Sequence, residues 1–352
     1  MAKRFVPTAG RSTSTRVLRR KVISLSRLLV VAPNWIGDAL MAQPLLARLR
    51  QKRPGARIEL LAPPWVAPVA RRMAEVDDVI EADLRHGALQ LGERWRLGRR
   101  LKQRAFDQAI VLPNTWKSAL VPFFAAVPLR SGYVGESRYG ILNLLYEKKA
   151  EREPMTVHYA RLSEQPGIEP QLPLSFPALN FDPETIKKTS ARFGISGSYT
   201  VLCPGAEYGP AKRWPYFREL ASKLETQIVL LGSSSDRKEA ERIPGKNLVG
   251  QTTLDEAIDL VAGAAAVVTN DSGLMHVAAA TGTPLVALFG SSSPEHTPPL
   301  SSAARVLWLK IECSPCYARA CPLGHFRCMK EISVAQVLEE VKKSAPRPVP
   351  SS

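Results

Sequence analysis

The feature that most limits what this chain can fold into is a rhythm. A short, β-branched and leucine-rich run ends at a proline or at a small-residue turn, a helical stretch follows, and the pair repeats. Residues 27–32 (RLLVVA) run into Pro33, and residues 37–51 then carry Leu40, Leu45, Leu46 and Leu49 at helical spacing. Strands are expected again at 58–61 and 109–112, and helices at 65–73, 88–103 and 116–125. Between about residues 149 and 184 the rhythm stops. Pro154, Pro166, Pro170, Pro173, Pro177 and Pro183 crowd that stretch, which reads as a connection with one helix over 157–165. The alternation then restarts, with strands at 200–203, 227–231, 266–269 and 284–289. Helices follow at 216–224, 236–242, 254–262, 274–281 and 334–343. Alternating short buried strands and helices imply parallel sheets covered on both faces. The expected fold class is therefore α/β, with two Rossmann-like, doubly wound domains facing each other across a cleft. The boundaries are 27–180 for the first and 181–346 for the second, with a tail at 347–352. A length of 352 residues suits two domains.

Charge sharpens the choice of partner. The chain carries a formal net charge of +16, and its first 26 residues hold Lys3, Arg4, Arg11, Arg16, Arg19, Arg20 and Lys21 with no acid. These residues read as a disordered basic extension outside the fold. They lack the apolar stretch and small-residue cleavage site of a secretory signal. A basic surface favours anionic partners. Nothing resembles a base-reading module or an aromatic RNA platform, so nucleic acid is not an expected partner. No apolar run approaches the length needed to span a bilayer. Anionic lipid and phosphorylated glycan both suit the basic surface.

Three loops follow strands and carry the candidate chemistry. The first is Pro33-Asn34-Trp35-Ile36-Gly37-Asp38. Gly37 permits close approach, and Asp38 lies in the first helical turn, where it can take a proton from a hydroxyl or simply complement the helix dipole. The second runs from Gly205 through Glu207 to Lys212 and Arg213, a Gly/Pro-rich loop with two adjacent cations. A point charge beside a guanidinium fork suits a diphosphate, and equally suits a solvated basic pair. The third is Asn270-Asp271-Ser272-Gly273-Leu274-Met275-His276. Asp271 or Ser272 can cap the helix, and its first N–H groups make an anion site. His276, four residues after Ser272, is either a donor to a ligand or a satisfied structural histidine. Residues 291–293 form a further small polar loop at the same sheet edge. Neither half opens with G-x-G-x-x-G, and no Walker A loop is present. That counts against a dehydrogenase or an ATPase.

The segments APNWIGDALMAQPLL, LPNTWKSALVPFFA, CPGAEYGPAKRWP, TNDSGLMHVAAA and FGSSSPEHTPPL, in this order and spacing, resemble the ADP-heptose:lipopolysaccharide heptosyltransferase family over roughly residues 27–343. LPNTWKSALVPFF together with GAEYGPAKRWP is more similar to its type II members than to type I. The connection around residues 163–181 is shorter than in many relatives. The resemblance implies a GT-B fold and an inverting, metal-independent transfer from ADP-L-glycero-D-manno-heptose. The implied acceptor is the first heptose on Kdo₂-lipid A, and no cofactor is implied beyond the donor substrate. The alternatives are a related GT-B transferase with another heptose acceptor or donor, or a non-catalytic lipopolysaccharide- or nucleotide-binding relative. The resemblance also implies a cytoplasmic protein in peripheral contact with the cytoplasmic face of the anionic inner membrane. By position, Asp38 matches the general base and Lys212 the lysine that neutralises the donor diphosphate. Asp271, Ser272, Gly273 and His276 match the donor-binding turn. Asn34, Trp35, Gly37, Gly205, Glu207 and Arg213 join them as expected substrate contacts. Asp271 is expected to contact sugar or ribose, or to cap the helix, because a bare carboxylate repels a diphosphate.

Five cysteines complete the reading. Cys203 stands alone on an expected strand and reads as a core residue. Cys313, Cys316, Cys321 and Cys328 fall within sixteen residues, with His325 among them. Four thiolates at short spacing can hold a structural metal, although the spacing does not match a zinc ribbon's paired knuckles. Reduced thiols and disulfides are the alternatives, the latter disfavoured in a cytosol.

Overall fold

A computed structural model describes residues 27–84, 87–149 and 152–344. The basic extension of residues 1–26 and the tail at 347–352 lie outside the described residues. The first sheet has six parallel strands, β1 (Arg27–Val31), β2 (Arg57–Ala62), β3 (Asp78–Glu81), β4 (Gln108–Val111), β5 (Leu129–Tyr133) and β6 (Leu144–Tyr146), in the order β3-β2-β1-β4-β5-β6. The second also has six parallel strands, β7 (Tyr199–Cys203), β8 (Gln227–Leu230), β9 (Lys246–Asn247), β10 (Ala266–Asn270), β11 (Leu285–Phe289) and β12 (Ala304–Trp308), in the order β12-β11-β10-β7-β8-β9. The two-domain α/β architecture read from the sequence is the one observed. The central strands β1, β4, β7, β10 and β11 are buried along almost their whole length, because helices cover both faces of each sheet.

Each sheet reverses its winding at one place, between β1 and β4 in the first and between β7 and β10 in the second. Such switch points open a crevice at the strands' carboxyl ends, where ligands of doubly wound sheets sit. The loop after β1 holds Asn34–Asp38. The loops after β7 and β10 hold Gly205–Arg213 and Asp271–His276. All three candidate loops thus lie at switch points.

Several expected boundaries moved for identifiable reasons. The helix expected over 37–51 is two, Ile36–Met41 and Gln43–Lys52. Pro44 sits in the first turn of the second, and Ala42 forms the joint. The helix expected over 116–125 begins as a 3₁₀ turn, Trp116–Ala119, and becomes α-helical at Leu120–Phe124. The proline-rich connection gives way to a helix, Pro183–Arg192, whose N-cap Asp182 accepts from the N–H groups of Glu184 and Thr185. The helices Leu254–Ala262 and Val334–Lys343 fall where the periodicity put them, each with a capping box.

Contacts between the halves close the cleft. The helix Ile36–Met41 packs on Gly273–Thr281. Arg72 reaches across to Asp255 and Asp259, the latter at 2.7 Å. The backbone N–H of Met155 donates to the His296 carbonyl at 2.9 Å, and the His296 ring meets the Glu153 carbonyl. Among the described residues no helix is long and apolar enough to cross a membrane.

Candidate active site

The helix Ile36–Met41 starts without a side-chain cap, and Asp38 is the acidic residue of its first turn. Burial, and after it the Asp271 carboxylate, hold its carboxyl up at about 6 against the opposing influence of Lys212. These three groups come from all three candidate loops and from both domains. Lys212 and Asp271 are hydrogen-bonded to each other, and the helix that carries Asp38 packs on the helix that follows Asp271. A desolvated carboxylate with a pKa near 6 is largely ionised at neutral pH yet basic enough to accept a proton from a hydroxyl.

Lys212 ends a 3₁₀ turn, Pro210–Lys212, beyond Gly209, whose φ of 147° is open to glycine. Its Nζ donates to Asp271 Oδ2 at 2.5 Å, and Ser292 Oγ donates to the same oxygen. The Tyr208 ring lies 4.8 Å below the ammonium. Lys212 is thus held at the mouth of the β10 turn. The expected capping role of Asp271 is not what is seen. Asp271 precedes the N-cap position and spends no bond on the helix, its oxygen facing Lys212 and Ser292. Ser292 belongs to the small polar loop noted after β11.

Ser272 occupies the N-cap of Gly273–Thr281, but its hydroxyl makes no capping bond and lies 3.2 Å from Thr269 Oγ1. The first N–H groups of this nine-residue helix therefore keep their capacity for an anion. His276 is buried on the same helix. Burial lowers its imidazole to about 4, so it is neutral near pH 7 and can present one N–H and one acceptor nitrogen. Gly37 explains how the domains approach so closely. A Cβ there would stand 2.6 Å from His276 Cδ2. Gly273 likewise lies under Ile36, with 3.3 Å to its Cβ.

The remaining expected residues separate into two groups. Asn34 lines a cleft in the first domain with Thr115, Lys117, Ser118 and Arg94, and its carbonyl accepts from Trp65 Nε1 at 2.8 Å. Trp35 is exposed beside it. Glu207 is exposed on the second-domain loop. Arg213 does not join Lys212. Its guanidinium pairs with Glu239 and reaches the Ala206 carbonyl. Gly205 makes room for a protein carboxylate, since a Cβ there would meet Asp236 at 2.1 Å.

Two features escaped the sequence reading. Asn270 is fully buried and ties the two donor-side loops together. Its Nδ2 donates to Pro204 O at 2.8 Å and its Oδ1 accepts from Trp214 N. Its position at the end of a buried strand, where a polar residue is costly without partners, was the available signal. Lys117 and Arg94 line the first-domain cleft, and no sequence spacing relates them to Asn34.

The four clustered cysteines are free thiols in the structure, as is buried Cys203. Burial, then its neighbours Cys313, Cys316 and Cys321, push the Cys328 thiol up to about 11. Cys321 Sγ accepts the Phe326 N–H at 3.5 Å. Among the described residues no group of three or more His, Cys, Asp or Glu side chains is gathered to hold a metal, so the structural-metal alternative finds no support here.

Comparison with known proteins agrees with this fold. Residues 94–327 match the model of glycosyltransferase family 9 (heptosyltransferase). The chain is 42% identical over 339 residues to lipopolysaccharide heptosyltransferase 2 of Escherichia coli, covering 90% of this chain and 97% of that protein. It is 43% identical over 306 residues to lipooligosaccharide heptosyltransferase 2 of Haemophilus influenzae, covering 80% and 88%. Among solved structures it is similar to E. coli ADP-heptose lipopolysaccharide heptosyltransferase II, with a TM-score of 0.81 at 40% identity, over 90% of this chain and 98% of that one.

Proposed function

Because the chain belongs to glycosyltransferase family 9, the heptosyltransferases, and is a glycosyl-transferring enzyme, we propose that it moves L-glycero-D-manno-heptose from ADP-heptose to the first heptose of the lipopolysaccharide inner core. The observation that supports this reading is that the helix carrying Asp38 packs, through Gly37, against His276 of the helix that follows Asp271, while Asp271 pairs with Lys212. The relatives' names supply the donor and acceptor class. The first domain, 27–180, receives the acceptor, and the second, 181–346, receives the ADP-sugar.

The reaction balances as a single displacement. An acceptor hydroxyl oxygen attacks the anomeric carbon while its proton passes to the Asp38 carboxylate. The bond between that carbon and the β-phosphate oxygen breaks, and the electron pair leaves with ADP, inverting the centre. Lys212 and the N-terminus of Gly273–Thr281 receive the negative charge that develops on the leaving group. Asp271 holds Lys212 in place until a diphosphate competes for it, and it then turns to a sugar or ribose hydroxyl. Neutral His276 donates to the donor. Asn34, Trp35 and Gly37 shape the acceptor side. Gly205 and Glu207 border the donor loop, and Arg213 reaches a donor only by leaving Glu239. The enzyme works at the cytoplasmic face of the inner membrane, without a cofactor or nucleic acid.

The test is ADP release and product formation from ADP-heptose with a truncated core acceptor bearing one heptose, beside a panel of other nucleotide sugars. Transfer is expected only with the heptose donor, and Lys212→Gln should lose about 100- to 1,000-fold in kcat, as for loss of one leaving-charge donor. Equal turnover of another donor, or full activity in Lys212→Gln, overturns the proposal.

A further inference from the structure

The first domain carries an unusual concentration of bare apolar side chains. Leu89, Leu91, Trp95, Trp116 and Phe123 expose between 40% and 52% of their surface within one 35-residue stretch. Leu91 and Trp95 lie one helical turn apart on the helix Leu91–Leu101, whose other outward positions include Arg96, Arg99 and Arg100, all exposed. That helix packs on Leu120–Phe124. The fit is close, since a Cβ on Gly98 would stand 2.5 Å from Phe124 Cβ. Buried Arg94 anchors the assembly. Its Nε donates to the Leu89 carbonyl at 2.7 Å and its Nη1 to the Lys117 carbonyl at 3.0 Å.

We propose that this face, built from the helix Leu91–Leu101 and the segment Trp116–Phe124, is the surface by which the protein seats on an anionic lipid bilayer. Leu91, Trp95 and Phe123 enter the headgroup layer, and Arg96, Arg99 and Arg100 lie over the lipid phosphates. The chemistry matches the interfacial pattern, in which a helix pairs a cationic face with Trp and Leu. A soluble partner protein would more often be met by a patch low in charge. Among the described residues Arg96 is answered only by Glu93, at 3.8 Å, and no ion pair joins Arg99 or Arg100 to an acid. The position also fits. Arg94 and Lys117, which anchor the face from behind, line the first-domain cleft with Asn34, so a bilayer on this face would lie beside the acceptor entrance. The inference rests on the lipid-linked acceptor proposed above.

The experiment is flotation of the full chain with phosphatidylcholine vesicles, with and without 30% phosphatidylglycerol, in the absence of any glycan. Turnover of a deacylated, water-soluble acceptor is measured in parallel. The wild type is expected to float with the anionic vesicles in a salt-sensitive way and not with the neutral ones. Removing three surface charges in Arg96→Gln/Arg99→Gln/Arg100→Gln should weaken binding on the order of 100-fold. Trp95→Ala should weaken binding severalfold, and both variants should keep wild-type melting and soluble-acceptor turnover. Deletion of residues 2–26 serves as the competing arm. If that deletion alone abolishes flotation while the triple variant floats like wild type, or if neutral and anionic vesicles bind alike, the assignment of this face is wrong. Because the vesicles carry no acceptor, failure of flotation is distinct from failure of the transferase reading, which the soluble acceptor reports.

Discussion

Replacing Asp271 by asparagine should move the acid side of the pH–rate profile toward lower pH, even though it removes a group from the donor side of the cleft. Asp38 must be ionised to accept the acceptor proton, and its carboxyl stands at about 6 rather than 3.8. At pH 5 only about one-tenth of it is then ionised, so kcat/KM should be roughly ten times below its plateau. An unshifted aspartate would still be almost fully active there. Three influences set that position, namely burial, the Asp271 charge that raises it and the Lys212 charge that lowers it. Asp271→Asn deletes the second and leaves Lys212, now without its carboxylate partner, to act unopposed. The limb should shift acid-ward but stop short of 3.8, because burial, the largest cause, remains. Lys212→Gln should shift it the other way. The assay is kcat/KM for the acceptor between pH 4.5 and 8 at saturating donor. The limb's position is read rather than its height, so a loss of donor affinity in Asp271→Asn does not obscure the result. A limb that stays in place or moves alkaline in Asp271→Asn would refute the shared electrostatic site.

Asp38→Asn should lower kcat by about 100- to 10,000-fold, the usual range for a lost general base, measured at pH 7.5. The same substitution should stabilise the fold. The native Asp38 binds a proton more readily than the unfolded one between pH 3.8 and about 6, so its burial costs stability that grows through that window and is fully present above it. Removing it is worth up to about 3 kcal/mol at neutral pH and nothing below pH 4, by urea unfolding at both. Gly37→Ala should separate the helices Ile36–Met41 and Gly273–Thr281, since its methyl meets the His276 ring. A rise in donor KM by isotope-labelled binding, with the fold retained by circular dichroism, is expected. Thiol titration should count five free cysteines after denaturation under anaerobic conditions, with Cys203 unreactive in the native protein because it is buried and raised to about 12.

How much was legible follows from where the information lies. The strands β1, β4, β7, β10 and β11 could be read because both faces of each are buried, which leaves an unbroken apolar run. The strands β3 and β12 could not, since they close the sheets at their edges and their side chains are half open to water. The helix Pro183–Arg192 was hidden among prolines although Asp182 and Pro183 form a regular helix start. Within the site, Asp38, Lys212, Asp271 and His276 are legible because they fall in three segments that each follow a strand, Asp271 and His276 sharing the third. Asn270 and Ser292 were not singled out, because their importance arises from partners far away in the chain.

The sequence by itself determined the fold class, the count of domains and the strand ends at which chemistry is placed, since periodicity and turn residues act locally. Tertiary structure alone decided that Asp38 is desolvated, that Asp271 faces Lys212 rather than capping its helix, and that Arg213 turns to Glu239. These outcomes depend on which loops the two winding reversals bring together, and burial and Coulomb interactions depend on distance in space, which no spacing along the chain encodes.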